Sequence, residues 1–190
     1  MEHSSPALYN DCAYTLLSAE EISAIVDRMA AEIIQTYENS GHRLVMVVIL
    51  KGSMPFAAEL MKRIPLPIEL EFMKVSSYGA ATKSSGEIKV SLDLNRDDLQ
   101  EIDLLVVEDI IDSGRTLSRL TQLLRNRNAH SVRTCTLLDK PSRREVDFVP
   151  DFCGATIPDE FVIGFGLDYN EKYRNLPFVG VLKREVYEKK

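Results

Sequence analysis

Residues 104–117, with the sequence LLVVEDIIDSGRTL, carry the clearest structural pattern in the chain. It starts with a short, partly β-branched apolar run over residues 104–107, which predicts a parallel strand buried on both faces. Ser113 and Gly114 then form a turn. Leucines recur at helical spacing after the turn, at Leu117, Leu120 and Leu124. The stretch therefore predicts a strand, a tight turn and a helix.

The predicted turn has the features of a binding site for a phosphate monoester. It presents backbone N–H groups, the hydroxyls of Ser113 and Thr116 and a helix N-terminus to one point. Glu108, Asp109 and Asp112 place carboxylates beside that point, where open α/β sheets bind ligands. Because carboxylates repel phosphate, they need another role: holding sugar hydroxyls, binding Mg²⁺ or moving a proton. The alternative is a strand that happens to end in acids.

Length and composition favour one soluble globular domain. The 190 residues are 45% hydrophobic and 27% charged, which is ordinary for such a domain. The net charge of −6 argues against a nucleic-acid partner, because phosphate backbones attract cationic surfaces. Three widely spaced cysteines favour a reducing compartment. The sequence has neither a signal-peptide pattern nor an apolar run of about 20 residues, so we expect no membrane association and a cytoplasmic location.

Alternating strand and helix patterns along the chain predict an α/β fold with a mainly parallel twisted sheet flanked by helices. A capping-box pattern at Ser18 and Glu21 predicts a helix start. Residues 67–75 and 87–92 predict an antiparallel pair joined by a mobile loop over 76–86. We expect further strands at residues 44–50, 132–138, 161–165 and 178–182, a helix at 54–63, an irregular segment at 140–159 and no clear element before residue 17.

The acidic pair followed by Asp-Ser-Gly-Arg-Thr resembles the phosphoribosyl-pyrophosphate (PRPP) signature of the type I phosphoribosyltransferases. It differs from a Walker A loop, since Gly-x-x-x-x-Gly-Lys-Ser/Thr occurs nowhere in the chain. The resemblance implies the type I phosphoribosyltransferase fold, with a small C-terminal hood and a flexible antiparallel loop beside the sheet. It implies a single domain over residues 1–190, with a core at about 15–158 and a hood at about 159–182 plus the N-terminal segment.

Two further loops carry the resemblance. Residues 50–53, Leu-Lys-Gly-Ser, are by themselves an ordinary strand-to-helix turn. They resemble the pyrophosphate loop of hypoxanthine-guanine phosphoribosyltransferases, which implies that Lys51 and Gly52 bind pyrophosphate; in that family the peptide before the lysine can be cis. Ser77 and Tyr78 resemble part of a lid that closes over the reacting sugar and excludes water.

The base-binding residues are predicted from two segments near the C-terminus. Lys140 by itself would be a solvated residue flanking a strand. It resembles the family lysine that holds the oxygen at purine C6, and because an ammonium only donates hydrogen bonds it would favour 6-oxopurines over adenine. Residues 159–177, DEFVIGFGLDYNEKYRNLP, resemble the hood of the hypoxanthine-guanine enzymes. By composition Phe161 would be a core residue.

The hood resemblance assigns a role to four residues. It implies that Phe161 stacks on the purine, that Val162 meets the purine edge through its backbone, that Asp168 binds Mg²⁺ and that Arg174 binds pyrophosphate through its planar guanidinium. The resemblance also implies Mg²⁺ as the cofactor, with Glu108, Asp109 and Asp168 as its ligands. The residues implied for PRPP and its 5′-phosphate are Glu108, Asp109, Asp112, Ser113, Gly114, Arg115, Thr116 and Leu117.

The resemblance implies purine salvage: transfer of the 5-phosphoribosyl group from PRPP to N9 of hypoxanthine or guanine, with Asp112 as the catalytic residue that takes the N7 proton. The expected partners are these small molecules, and the family implies a homodimer or homotetramer. Two alternatives remain, a PRPP-sensing regulator without turnover and a transferase that prefers xanthine. The net negative charge of the chain and the base-binding hood, which a PRPP sensor does not need, argue against the regulator.

Overall fold

A six-stranded sheet forms the centre of the computed structural model, which describes residues 6–77 and 88–188. The elements in chain order are α1 (Pro6–Asn10), β1 (Cys12–Leu17), α2 (Ala19–Tyr37), β2 (Arg43–Ile49), α3 (Met54–Met61), β3 (Ile68–Ser77), β4 (Ile88–Leu92), β5 (Ile102–Ile111), α4 (Arg115–Asn126), β6 (Ser131–Asp139), β7 (Phe152–Thr156), β8 (Val162–Ile163), β9 (Val179–Leu182) and α5 (Arg184–Tyr187).

The strand order of the large sheet is β4-β3-β2-β5-β6-β7. All neighbouring pairs are parallel except β3 with β4, which form the predicted antiparallel pair. The predicted mainly parallel sheet is therefore confirmed. Because the strands run the same way, the carboxyl ends of β2, β5 and β6 lie along one edge.

Helices cover both faces of this sheet. On β2, Leu44 and Met46 pack in the same apolar cluster as α2 and α3, whereas Val45 and Val47 pack in the cluster that contains α4. A strand buried on both faces needs apolar residues at every position, which explains the unbroken apolar run of β2. None of the helices that the structure describes combines the length and the hydropathy needed to cross a membrane.

The helix α2 begins at the predicted capping box. The Ser18 hydroxyl accepts a hydrogen bond from the Glu21 N–H at 3.2 Å, and the Glu21 carboxylate accepts one from the Ser18 N–H at 2.7 Å. These two contacts satisfy N–H groups that have no partner within the helix, so the helix starts sharply at this point.

The strand β5 extends to Ile111, beyond the acids Glu108 and Asp109 that were predicted to end it. Its pairing with β2 stops at Val107, but its pairing with β6 continues to Ile111. The prediction was wrong because it took the two acids as the end of the strand. Glu108 and Asp109 instead lie within β5, beyond the point where its pairing with β2 ends.

Four elements were not predicted, and one of them, β1, belongs to a second sheet with the order β1-β9-β8. Residues 1–17 were given no element, yet they contain α1 and β1, and β1 pairs antiparallel with β9. The segment 140–159 was expected to be irregular, but β7 forms there as an edge strand beside β6. The fourth, α5, follows β9. The predicted strand 161–165 shrinks to β8, because Gly164 and Phe165 take positive φ values of 92° and 47°.

Candidate active site

One cavity of about 560 Å³ brings together residues that are far apart in the sequence. Asp109 and Asp112 approach it from the end of β5 and Lys140 from the end of β6, while the hood supplies the remaining predicted residues. The predicted residues that line it are Asp109, Asp112, Lys140, Phe161, Val162 and Asp168. The edge of the sheet and the hood therefore form one site.

A second cavity of about 190 Å³ lies at the turn between β5 and α4. Its lining includes Glu108, Asp112, Ser113, Gly114, Thr116 and Leu117. Gly114 has a φ of 77°, which a residue without a side chain adopts readily, and it precedes the first turn of α4. Asp112 borders both cavities, so the turn and the larger cavity are adjacent.

Arg115 is the predicted turn residue whose side chain lines neither cavity. Its guanidinium forms an ion pair with Glu145 at 2.5 Å, and both side chains are about half exposed. Its backbone N–H faces Ser113 Oγ at 3.4 Å. Within the turn, Arg115 therefore offers a backbone donor and not a free cation.

The loop after β2 packs directly on the acidic strand. A methyl group on Gly52 would lie 1.6 Å from Asp109 Oδ2, so any side chain at this position would displace the Asp109 carboxylate. The other Asp109 oxygen accepts a hydrogen bond from the Ile110 N–H at 2.7 Å. Burial raises the pKa of Asp109 to about 6, although that N–H opposes the shift. The Leu50–Lys51 peptide bond is cis.

The Glu108 carboxyl is buried beside Asp109. Among the described residues, none donates a hydrogen bond to its Oε2 atom. Burial, and then the charge of Asp109, raise the pKa of Glu108 well above its usual range. Because an unpartnered buried carboxyl oxygen is costly, this atom marks a place where a bound group would supply a partner.

Lys140 connects the end of β6 to the hood. Its side chain is 8% exposed, and Nζ donates a hydrogen bond to the backbone oxygen of Glu160 at 2.7 Å. Nζ also lies 3.7 Å from Asp112 Oδ1. The ammonium is therefore held in the cavity wall with donors left over, contrary to the solvated position that its sequence context alone suggests.

Lys51 and Arg174, the two cations predicted to bind pyrophosphate, lie at one side of the site. The loop after β2 and the hood form that side. Lys51 Nζ is 3.1 Å from Glu171 Oε2, and Arg174 Nη2 is 3.4 Å from the same oxygen. Arg174 also pairs with Asp168 at 2.8 Å and donates to the Gly166 backbone oxygen at 2.7 Å. Lys51 and then Arg174 lower the pKa of Glu171. A carboxylate thus bridges the two cations.

The aromatic part of the site is centred on Phe161, which is 37% exposed. Tyr169 meets its ring edge-on, with centroids 5.6 Å apart and planes at 90°. Tyr187 stacks on it, with centroids 4.9 Å apart and planes at 22°. Val162 follows in β8 and is buried. The exposure of Phe161 is consistent with a stacking surface and contrasts with the core position that composition alone suggests.

The predicted lid cannot be placed. Tyr78 lies outside the described residues, and of Ser77 only the backbone, at the end of β3, is described. Glu171 and Tyr187 were not singled out from the sequence, although Glu171 lies within the quoted hood segment. For Glu171, an acid beside a predicted pyrophosphate-binding arginine was an available signal. No feature of the sequence indicated the stacking of Tyr187.

The comparison with known proteins decides the family. The phosphoribosyl transferase domain matches residues 14–170. The chain belongs to the phosphoribosyl transferase domain family. The hypoxanthine-guanine phosphoribosyltransferase of Bacillus subtilis (strain 168) is 49% identical over 94% of this chain and 98% of that protein. A crystal structure of a hypoxanthine phosphoribosyltransferase from Staphylococcus aureus has a TM-score of 0.91 and 44% identity, covering 97% of this chain and 99% of that one.

Family members also occur inside longer proteins. A bifunctional protein TilS/HprT from Listeria monocytogenes serotype 4b (strain F2365) is 47% identical over 95% of this chain, but this chain spans 28% of that protein.

The resemblance and the type I phosphoribosyltransferase fold predicted from the signature turn and the hood are confirmed.

Proposed function

We propose that this protein transfers the 5-phosphoribosyl group of PRPP to N9 of a 6-oxopurine, hypoxanthine or guanine, and releases pyrophosphate. The observation that carries the proposal is the shared cavity of Asp112, Lys140 and Phe161, since it offers a proton acceptor, a donor for an exocyclic oxygen and an aromatic surface together. The names of relatives that match this chain along nearly their full length support it.

The base would bind between the sheet edge and the hood. Phe161 would stack on the flat heterocycle, and Lys140 would donate a hydrogen bond to the oxygen at C6. An adenine would present an amino group there, leaving two donors face to face. Val162 would meet the edge of the base through its backbone. These contacts would turn N9 toward C1 of the sugar, and such positioning can supply several kcal/mol toward the barrier.

The sugar phosphate would bind along the turn from β5 to α4. Ser113, Gly114, Thr116 and the backbone N–H groups that begin α4, including those of Arg115 and Leu117, would hold the 5′-phosphate. At the other end, Lys51, Gly52 and Arg174 would bind the pyrophosphate group. Those two cations already contact a carboxylate, Glu171, which supports their assignment as anion-binding residues.

Glu108 and Asp109 would hold the ribose hydroxyls, and their charge would stabilise the cationic sugar that develops as the bond to pyrophosphate breaks. As N9 attacks, Asp112 would take the proton from N7. Its position between the base cavity and the phosphate turn supports this role, because the acceptor must reach the base while the sugar stays bound.

The acidic residues fit Mg²⁺ as a cofactor that is shared with the substrate. Glu108 has a buried, unpartnered oxygen, and Asp109 and Asp168 line one cavity. Across the described residues, no three acidic, histidine or cysteine side chains cluster as a complete metal site. The two carboxylates on one cavity suit Mg²⁺, which is often held by one or two carboxylates together with phosphates and water. When bound, it supplies positive charge that stabilises the leaving pyrophosphate.

A steady-state assay of the purified protein with PRPP, Mg²⁺ and each of hypoxanthine, guanine and xanthine tests the proposal. We expect turnover of hypoxanthine and guanine with release of pyrophosphate. Binding of PRPP with no turnover of any base would indicate the regulator instead, and a preference for xanthine would indicate the sister transferase. The single domain, the cytoplasmic location, the lid residues Ser77 and Tyr78 and the homodimer or homotetramer remain predictions.

A further inference from the structure

We propose that Tyr187 is a positioning residue for the purine, because it holds the ring of Phe161 in the plane on which the base stacks. This inference rests on the function proposed above and extends the base-binding site to α5, which the sequence did not connect with it. The two rings are nearly parallel, 22° apart, and their centroids are 4.9 Å apart.

The spacing of the two rings decides which face of Phe161 the base can use. A purine inserted between them would need a separation of about 7 Å, twice the contact distance of about 3.5 Å between carbon atoms. The observed 4.9 Å leaves no such space. Tyr187 lines the same cavity as Phe161, so the base would use the face of Phe161 that Tyr187 leaves open. Tyr187 supports the ring from the other side.

Tyr187 can support Phe161 because it is itself packed. Its ring contacts the apolar cluster of the hood, whose buried members are Ile163, Tyr173, Leu176 and Leu182. The backbone holds α5 in place as well, since the Lys183 N–H donates to the Asp11 oxygen at 2.9 Å and the Val186 N–H to the Lys183 oxygen at 3.0 Å. The Tyr187 ring is packed and α5 is held in place, so Tyr187 connects Phe161 to the apolar cluster of the hood.

Without this support the Phe161 ring would rotate about its side-chain torsions, because Tyr169 packs perpendicular to it and forms no parallel stack with it. A rotated ring would lose stacking with the base but would not alter the phosphate turn or Asp112. The loss should therefore appear in the affinity for the base and for nucleotides that contain it, and not in the affinity for PRPP.

The test compares Tyr187→Ala and Tyr187→Phe with Glu185→Ala, a control on an exposed residue of the same helix that lines neither cavity. We expect Tyr187→Ala to raise the KM for hypoxanthine by about threefold to tenfold, the range of an aromatic pair. The KM for PRPP and the kcat should stay close to wild type. Tyr187→Phe should restore the wild-type KM, since the ring and not the hydroxyl makes the contact.

A binding measurement separates this inference from the proposed reaction. Calorimetric titration with inosine 5′-monophosphate and with ribose 5-phosphate should show that Tyr187→Ala weakens only the nucleotide. Unchanged nucleotide affinity and KM would overturn the inference while the function stands. A lower KM for hypoxanthine would also overturn it, because Tyr187 would then occupy the place of the base. If the wild type bound neither compound and had no turnover, the proposed function would fail and this inference with it.

Discussion

At the scale of single residues, Asp112 combines a carboxylate with a position on both cavities, and this predicts its effect on turnover. Asp112→Asn keeps the shape of the side chain but removes the proton acceptor. We expect the kcat to fall by about 10²–10⁴-fold, the usual contribution of a positioned base, with PRPP affinity largely kept. Steady-state kinetics and calorimetric PRPP titration measure the two effects.

Asp159→Asn is the matched control for that substitution, because Asp159 is another carboxylate in the wall of the same cavity and pairs with Arg143 at 3.4 Å. Its kcat should remain close to wild type. Turnover of Asp112→Asn near the wild-type value would rule out the proton role and leave Asp112 as a binding residue.

Lys140 determines base selection in the proposed site, because its ammonium is buried and only donates hydrogen bonds. We expect Lys140→Ala to lower the ratio of kcat/KM for hypoxanthine to that for adenine by at least about tenfold. Lys140→Arg retains a cationic donor and should keep the preference for the 6-oxopurine. Competition kinetics with both bases measure the ratio. An unchanged ratio in the alanine variant would show that Lys140 does not contact position 6.

At the scale of elements, the hood contacts the loop after β2 through Glu171, whose carboxylate bridges Lys51 and Arg174. Because this carboxylate competes with pyrophosphate for the same cations, Glu171→Gln should lower the KM for PRPP. The side chains of Glu171 and Lys51 are 65% and 55% exposed, so we expect only about a twofold to fivefold change. Kinetics at low and high salt should show the difference shrinking as salt is added.

Glu32→Gln is the control for this contact, since Glu32 forms a comparably exposed ion pair with Arg28 at 2.7 Å outside the lining of both cavities. It should leave the KM for PRPP unchanged. A higher KM in Glu171→Gln would show the opposite role, in which the carboxylate holds Lys51 and Arg174 ready for the substrate.

The elements also show which parts of the fold a sequence can predict. β2 and β5 carry apolar runs because both of their faces are buried, and the capping box defines the start of α2, so these were predicted. β7 and β1 were not, since each has a single neighbour and mixed burial, which leaves little periodicity. Local patterns therefore indicate the central strands but miss some edge strands, although the edge strand β4 was predicted.

Local patterns also predict some residues of the candidate site and miss others. Residues that directly follow a central strand, such as Asp112 and Lys140, could be grouped before the structure because parallel strands end at one edge. Glu171 and Tyr187 could not, since their contacts depend on the path of the hood backbone. That path includes positive φ values of 51° at Asn170 and 61° at Glu171, which no periodic pattern reveals.

At the scale of the whole molecule, the hood is closed by distant parts of the chain. The Tyr173 hydroxyl donates a hydrogen bond to Asp11 Oδ2 at 2.6 Å, across 162 residues of sequence, and β1 pairs with β9 in the same region. Tyr173 is 4% exposed and belongs to the apolar cluster that supports Tyr187. This side-chain contact therefore adds to the strand pairing that joins the N-terminal segment to the hood.

Tyr173→Phe removes the contact and keeps the ring, and we expect it to lower the free energy of unfolding by about 1–3 kcal/mol near neutral pH. The hydrogen bond to Asp11, and then burial, raise the pKa of Tyr173 to about 12. The ordinary value is about 10, so the folded state holds this proton more tightly than the unfolded state. The stabilisation is therefore complete below about pH 10 and is lost as the pH rises toward 12.

Urea unfolding of the wild type and of Tyr173→Phe at about pH 8 and about pH 11 measures this dependence, with Tyr14→Phe, an exposed tyrosine of β1, as the control. The wild type should lose more stability than Tyr173→Phe between the two pH values, because only the wild type has this proton to lose. Tyr14→Phe should follow the wild type. Equal stability of wild type and Tyr173→Phe at pH 8 would mean that backbone pairing of β1 with β9 closes the hood without this side-chain contact.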